Sequence, residues 1–149
     1  TDAVTFVRNE DSYDFSQVTA NGTIAEAAIT NDAGTALGVT TLGANTTIYV
    51  FDTDATELGT ATAAAIADFT DMSVVATFLN TADGVTTGNN SGKVNYFLIN
   101  DGDVDTAAYI YKHTDNGDGT TSVQDAELAL IAISTHDAGA IDVNDVIIA

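Results

Sequence analysis

The chain contains no cysteine and no proline, and only Arg8, Lys93 and Lys112 are basic among its 149 residues. Without cysteine there is no disulfide, no thiolate nucleophile and no thiolate metal ligand, though this leaves the compartment open. Without proline, turns must be built from Gly, Asn and Asp. With so few cations the chain has no basic patch able to displace counterions, which argues against nucleic acid as a partner. The same shortage argues against an anionic membrane surface. No apolar run reaches the length of a membrane-spanning helix, so no membrane insertion is expected. The chain opens on Thr1-Asp2-Ala3 with neither Met nor a basic-then-apolar leader. The expectation is a processed chain or a fragment, pointing away from the cytoplasm.

What is present is a 45% hydrophobic content set against 22 acidic residues, for a formal net charge of −19. The hydrophobic content supports a packed fold rather than disorder, and the length suits a single β-rich domain over residues 1–149. The carboxylates repel one another, because monovalent salt screens only beyond about 8–10 Å. Adaptation to high salt or bound divalent cations would relieve that repulsion.

The chain is organised around residues 94–133. Three segments there (94–99, 107–111 and 128–133) are rich in β-branched, aromatic and leucine side chains and are bounded by Asp, Asn and Gly. Their polar links favour tight reversal, so an antiparallel meander is expected. Val94, Tyr96 and Leu98 face one way and Phe97 and Ile99 the other, and both sets are apolar. Each face of the sheet must therefore be covered.

Earlier strands are expected at residues 3–7, 13–18, 37–41 and 46–51, and at 23–30, where the flanking Thr residues suit a strand although Ile24, Ala27 and Ala28 would also suit a helical face. The period then changes. The alanine-rich stretch 60–67 suits a helix capped by Thr60 or Thr62. Asp71 suits the N-cap of a second helix, in which Met72, Val75, Ala76 and Leu79 recur at helical spacing. Uncharged residues 146–149 close the chain as a strand. The fold class expected is mainly β: an antiparallel β-sandwich or meander with a short two-helix insertion at about residues 60–82.

The acidic turns are the main chemical candidates. Asp101, Asp103 and Asp105 alternate in one link; Asp115, Asn116, Asp118, Asp125 and Glu127 lie in the next. Oxygen ligands on a Gly-containing loop are what Ca²⁺ requires. The second link fits the calcium loop of an EF-hand poorly, however: it lacks the first Asp and the last Glu, and it follows a strand. The alternative is that these are turns chosen for conformation, with solvated carboxylates. Ser134-Thr135-His136-Asp137 holds triad residue types, but neighbours in sequence cannot usually adopt triad geometry. His113 and His136 lack the spacing of a transition-metal site. Glu10, Asp11 and Asp14 are close as any acids in so acidic a chain would be, which is no signal of glycosidase chemistry. Tyr96, Tyr109 and Tyr111 would form a sugar-binding platform if exposed and core if not. Asn21, Asn45 and Asn89 each begin an Asn-x-Ser/Thr sequence. No catalytic residue is assigned and no enzyme is expected.

The run Asn95-Tyr96-Phe97-Leu98-Ile99-Asn100-Asp101-Gly102, the strand Ala107-Ala108-Tyr109-Ile110-Tyr111, the acidic turn and Ala126-Glu127-Leu128-Ala129-Leu130-Ile131-Ala132 form a pattern. With Ala64-Ile66-Ala67-Asp68-Phe69-Thr70-Asp71 before it and residues 142–149 closing it, the pattern covers about the last ninety residues. It resembles the C-terminal modules of bacterial surface-layer proteins and of large adhesins exported by the type I route. The Gly-Gly-x-Gly-x-Asp nonapeptide of the repeat-in-toxin group is missing. The resemblance implies secretion, calcium-assisted folding outside the cell and assembly into a layer or fibre. The expected function is accordingly a self-assembling structural protein of the cell surface. Its partner would be itself and, as a further expectation, a cell-surface glycan. Val4, Phe6, Val146, Ile147 and Ile148 would pair across protomers, since free strand edges recruit partners. The alternative is a carbohydrate- or cell-binding β-sandwich module of a larger secreted protein.

Overall fold

The computed structural model describes residues 3–6, 13–14, 25–26, 42, 47–51, 66–81, 85–100, 107–136 and 146–147. Its strands are β1 (Ala3–Phe6), β2 (Tyr13–Asp14), β3 (Ala25–Glu26), β4 (Thr47–Phe51), β5 (Val94–Asn100), β6 (Ala107–Thr114), β7 (Leu128–His136) and β8 (Val146–Ile147). One helix, α1, spans Met72–Thr81, and a 3-10 turn at Asp125–Glu127 leads into β7. The fold is mainly β, and its principal sheet has the order β1-β7-β6-β5-β4-β3. A separate ribbon joins β2 to β8.

The expected meander is present. β5 runs antiparallel to β6 and β6 antiparallel to β7, with Phe97 opposite Tyr111 and Tyr109 opposite Ile133. The flanks correct the antiparallel expectation, because β1–β7, β4–β5, β3–β4 and β2–β8 all pair parallel. The sheet is therefore mixed. Parallel neighbours need a long crossover, and the stretch between β4 and β5 supplies one that carries α1. The helix thus lies between two β regions and against one face of the meander, as the crossover of a β–α–β unit. Only the second of the two expected helices is observed: Ile66 and Ala67 are not helical, and residues 60–65 lie outside the described residues. The expected strand at 37–41 lies outside them too.

Asp71 starts α1 as its spacing predicts. Its Oδ1 accepts the Ser73 N–H at 2.9 Å, and its backbone carbonyl takes the N–H groups of Val74 and Val75. Val75, Ala76, Phe78 and Leu79 are then driven against Phe97, Ile99, Tyr111, Val123 and Leu128, with Leu42, Ile66 and Val85 closing the cluster. Side chains as deeply buried as Leu79 and Phe97 each contribute about 1.5–3 kcal/mol relative to exposure. On the opposite face Ile48, Tyr96, Leu98 and Ile110 are buried as well, so the meander is covered on both sides.

Candidate functional site

The acidic link between β6 and β7 is locked to the loop that precedes β5. Asp115 pairs its backbone with that loop twice: its N–H donates to the Lys93 carbonyl, and its carbonyl accepts the Gly92 N–H at 2.7 Å. Its carboxylate is buried. Oδ2 accepts the Asn90 N–H at 2.7 Å, and Oδ1 accepts the Gly117 N–H at 2.8 Å. Gly117 is dictated by both backbone and space, since its φ is +71 and an added Cβ would fall 2.4 Å from Ser91 Cβ.

Glu127 holds the same link from the other end. Gln124 and Glu127 form a capping box around the 3-10 turn. Glu127 Oε2 accepts the Gln124 N–H at 3.1 Å, while Oε1 reaches across to the Asn116 N–H at 2.9 Å. His113 Nε2 lies 3.3 Å from Oε2, and the two side chains are 0% and 3% exposed, so solvent screens this contact little. With Nε2–H donating to the carboxylate, His113 Nδ1 is left buried without a partner. Asn95, directly across the β5–β6 ladder from His113, buries Oδ1 in the same unpartnered condition.

Asn116, Asp118 and Asp125 are exposed. Asn116 Oδ1 accepts the Asp118 N–H, Asp118 Oδ1 accepts the Thr120 N–H, and Asp125 Oδ1 accepts the Ala126 N–H. Gln124 Nε2 donates to Asp118 Oδ2 at 2.6 Å. That contact, with the Thr120 N–H and hydroxyl, holds the Asp118 carboxyl down to about 2.

The structure therefore brings Asp115, Asn116, Asp118 and Glu127 into one loop and turns their side-chain oxygens toward N–H donors, mostly of the backbone. Among the described residues no three His, Asp or Glu side chains gather as a group able to hold a metal ion. Asp101, Asp103 and Asp105 lie outside the described residues, as do Ile148, Asn21 and Asn45. Asn89 is exposed at φ +50, and its Oδ1 accepts the Gly119 N–H.

The three tyrosines do not form an exposed row. Tyr96 and Tyr111 are buried, Tyr111 donates its hydroxyl to the Phe69 carbonyl, and Tyr109 stacks on Phe69 with ring centroids 4.2 Å apart. Ser134 is buried on β7.

Of the proposed assembly strands, Val4 and Phe6 are in β1, opposite Ser134 and His136, and Val146 and Ile147 are in β8, opposite Tyr13 and Asp14. Both strands pair within the chain. β1 covers only residues 133–136 of β7, so among the described residues no strand pairs with the outer edge of residues 128–132. A bulge falls on that stretch: Ile110 opposes Ala132 and Tyr111 opposes Leu130, which leaves Ile131 without a partner in β6. Ile131 is 44% exposed and is the exposed large hydrophobic side chain of the described residues.

Two features escape a reading by alternation. His113 is a polar residue at an inward position of β6, which the sequence marks only by its register with Tyr111. Glu127 is marked by the Gln-x-x-Glu spacing of its capping box, a signal for conformation rather than chemistry. Comparison of the chain with protein-family models, curated proteins and solved structures finds no match.

Proposed function

We propose that this chain is a secreted structural protein that assembles with copies of itself at the cell surface by strand addition. The observation that carries the reading is the border of β7, where among the described residues no strand pairs with the outer edge of residues 128–132 and Ile131 is exposed beside the short strand β1. A strand from a second copy that continues or replaces β1 would gain main-chain hydrogen bonds, and Ile131 would gain cover. The proposal includes a sandwich-like second layer over the face bearing Tyr96 and Leu98, and cation assistance for a chain of net charge −19. Calcium would act where acidic turns of adjacent copies meet, with Asp101, Asp103 and Asp105 as the residues first tested. The carbohydrate-binding alternative draws no support from the buried tyrosines.

Sedimentation velocity and negative-stain electron microscopy of the full chain, in calcium, in chelator and in concentrated sodium chloride, test the proposal. Polymers that form in calcium and shorten in Ile131→Lys, with far-UV circular dichroism unchanged, are expected. A chain that stays monomeric at high concentration in all three media overturns it.

A further inference from the structure

The fold requires glycine at position 117, and that requirement places a glycine amide directly after an exposed asparagine. Such a pair is chemically labile. The Gly117 nitrogen can attack Asn116 Cγ, forming a new N–C bond and a cyclic imide. Nδ2 leaves as ammonia, taking up the proton lost from the Gly117 nitrogen. Water then opens the imide at either carbonyl, giving aspartate or an isoaspartyl link.

The loop restrains each group that must move. The Gly117 N–H is engaged by Asp115 Oδ1 at 2.8 Å, and Asp115 is itself pinned by the Asn90 N–H on its other oxygen. The Asn116 N–H is engaged by Glu127 Oε1 at 2.9 Å, and the Asn116 carboxamide is held through Oδ1 by the Asp118 N–H at 2.9 Å. Attack requires the carboxamide to rotate and the Gly117 nitrogen to turn its lone pair toward it. The first breaks the Asp118 contact and the second the Asp115 contact, while the Glu127 bond to the Asn116 N–H holds the backbone of the pair against the rearrangement.

We propose that Asn116 is a deamidation site gated by Asp115 and Glu127, so that it is modified only when the β6–β7 link opens. A carboxylate is far too weak a base to deprotonate a backbone amide, so Asp115 restrains the reaction rather than assisting it. The product disturbs the loop: a new carboxylate appears beside Asp115, Asp118 and Glu127, and an isoaspartyl link lengthens the backbone where the clearance from Ser91 is least. Asn21-Gly22, the other Asn-Gly pair of the sequence, serves as an internal comparator.

The test is peptide mapping by mass spectrometry of the full chain aged at mildly alkaline pH, folded and in urea, beside Asp115→Ala and Asp115→Asn. Conversion at Asn116 is expected to be about tenfold or more slower in the folded chain than in urea, the factor reflecting how rarely the loop opens. Asp115→Ala should move the folded rate toward the urea rate. Asp115→Asn keeps one acceptor oxygen but turns an NH2 group toward the Asn90 or Gly117 N–H, so its rate should fall between those of the unsubstituted chain and Asp115→Ala. Equal rates at Asn116 in the folded chain and in urea overturn the proposal, as does slower conversion in Asp115→Ala. Should Asp115→Ala fail to fold, the comparison of folded chain with urea still decides.

Discussion

Replacing Glu127 with alanine removes the acceptor on which three parts of the site converge. The carboxylate takes the N–H groups of Asn116 at 2.9 Å and Gln124 at 3.1 Å, and His113 Nε2 approaches to 3.3 Å. A hydrogen bond to a charged group contributes about 1.5–3 kcal/mol net, and a donor left buried without its partner costs about 1–3 kcal/mol. Two backbone N–H groups and an imidazole nitrogen lose their shared partner together, so Glu127→Ala is expected to cost about 3–5 kcal/mol. Glu127→Gln keeps one carbonyl oxygen and should fall between, at about 1.5–3 kcal/mol. Urea unfolding followed by far-UV circular dichroism and by tyrosine fluorescence measures this, since the chain has five Tyr and no Trp. The midpoint should shift while the m-value stays unchanged. In a double-mutant cycle with His113→Leu, the two costs should fall short of additivity by about 0.5–3 kcal/mol. A loss below about 1 kcal/mol for Glu127→Ala would refute the reasoning, because solvent would then be serving those donors as well as the carboxylate does.

Asp118, held to about 2 against an ordinary 3.8, contributes stability that is present above about pH 4 and lost as pH falls through about 2. The gap between the unsubstituted chain and Asp118→Asn in pH-dependent unfolding should therefore close over that window, and a gap that widens there contradicts the assignment. Gly117 and Gly119 both sit at positive φ, but only Gly117 would bring an added Cβ against Ser91. Gly117→Ala should thus cost more than about 1 kcal/mol and clearly more than Gly119→Ala by thermal unfolding. Asn80 brackets Val123, donating to its carbonyl at 2.8 Å and accepting its N–H at 2.9 Å. Asn80→Ala should cost about 1–3 kcal/mol and speed amide exchange at Val123, and exchange left unchanged would show that the loop is held elsewhere.

The central strands and α1 were legible because local signals decide them. β5, β6 and β7 show their alternation and their Gly-Asn-Asp boundaries, and Asp71 with Val75 and Leu79 shows the start and apolar stripe of the helix. The parallel flanks were not legible. Ala3 meets Ile133 and Tyr13 meets Val146 through pairings that no turn residue announces, since only packing of the whole chain selects them. The acidic link was read correctly as a turn built from Asp, Asn and Gly. What the sequence concealed is that two of its carboxylates point inward. Burial of Asp115 and Glu127 depends on backbone donors from Asn90 and Asn116, and donor direction leaves no trace in composition. The bulge at Ile131 escaped for a similar reason: one extra residue in a ladder alters register without altering the apolar character of the run.

The opening strand β1 is parallel to β7, and the second strand β2 is parallel to β8. The earliest segments made must therefore wait for the latest ones before they find their neighbours. Such closure loads folding with loop entropy and slows it, because distant contacts repay nothing until the intervening chain has condensed. Synthesis from the N-terminal side would hold those two segments open until residues 128–136 and 146–147 had followed. Throughout that interval they are available to whichever matching border arrives first.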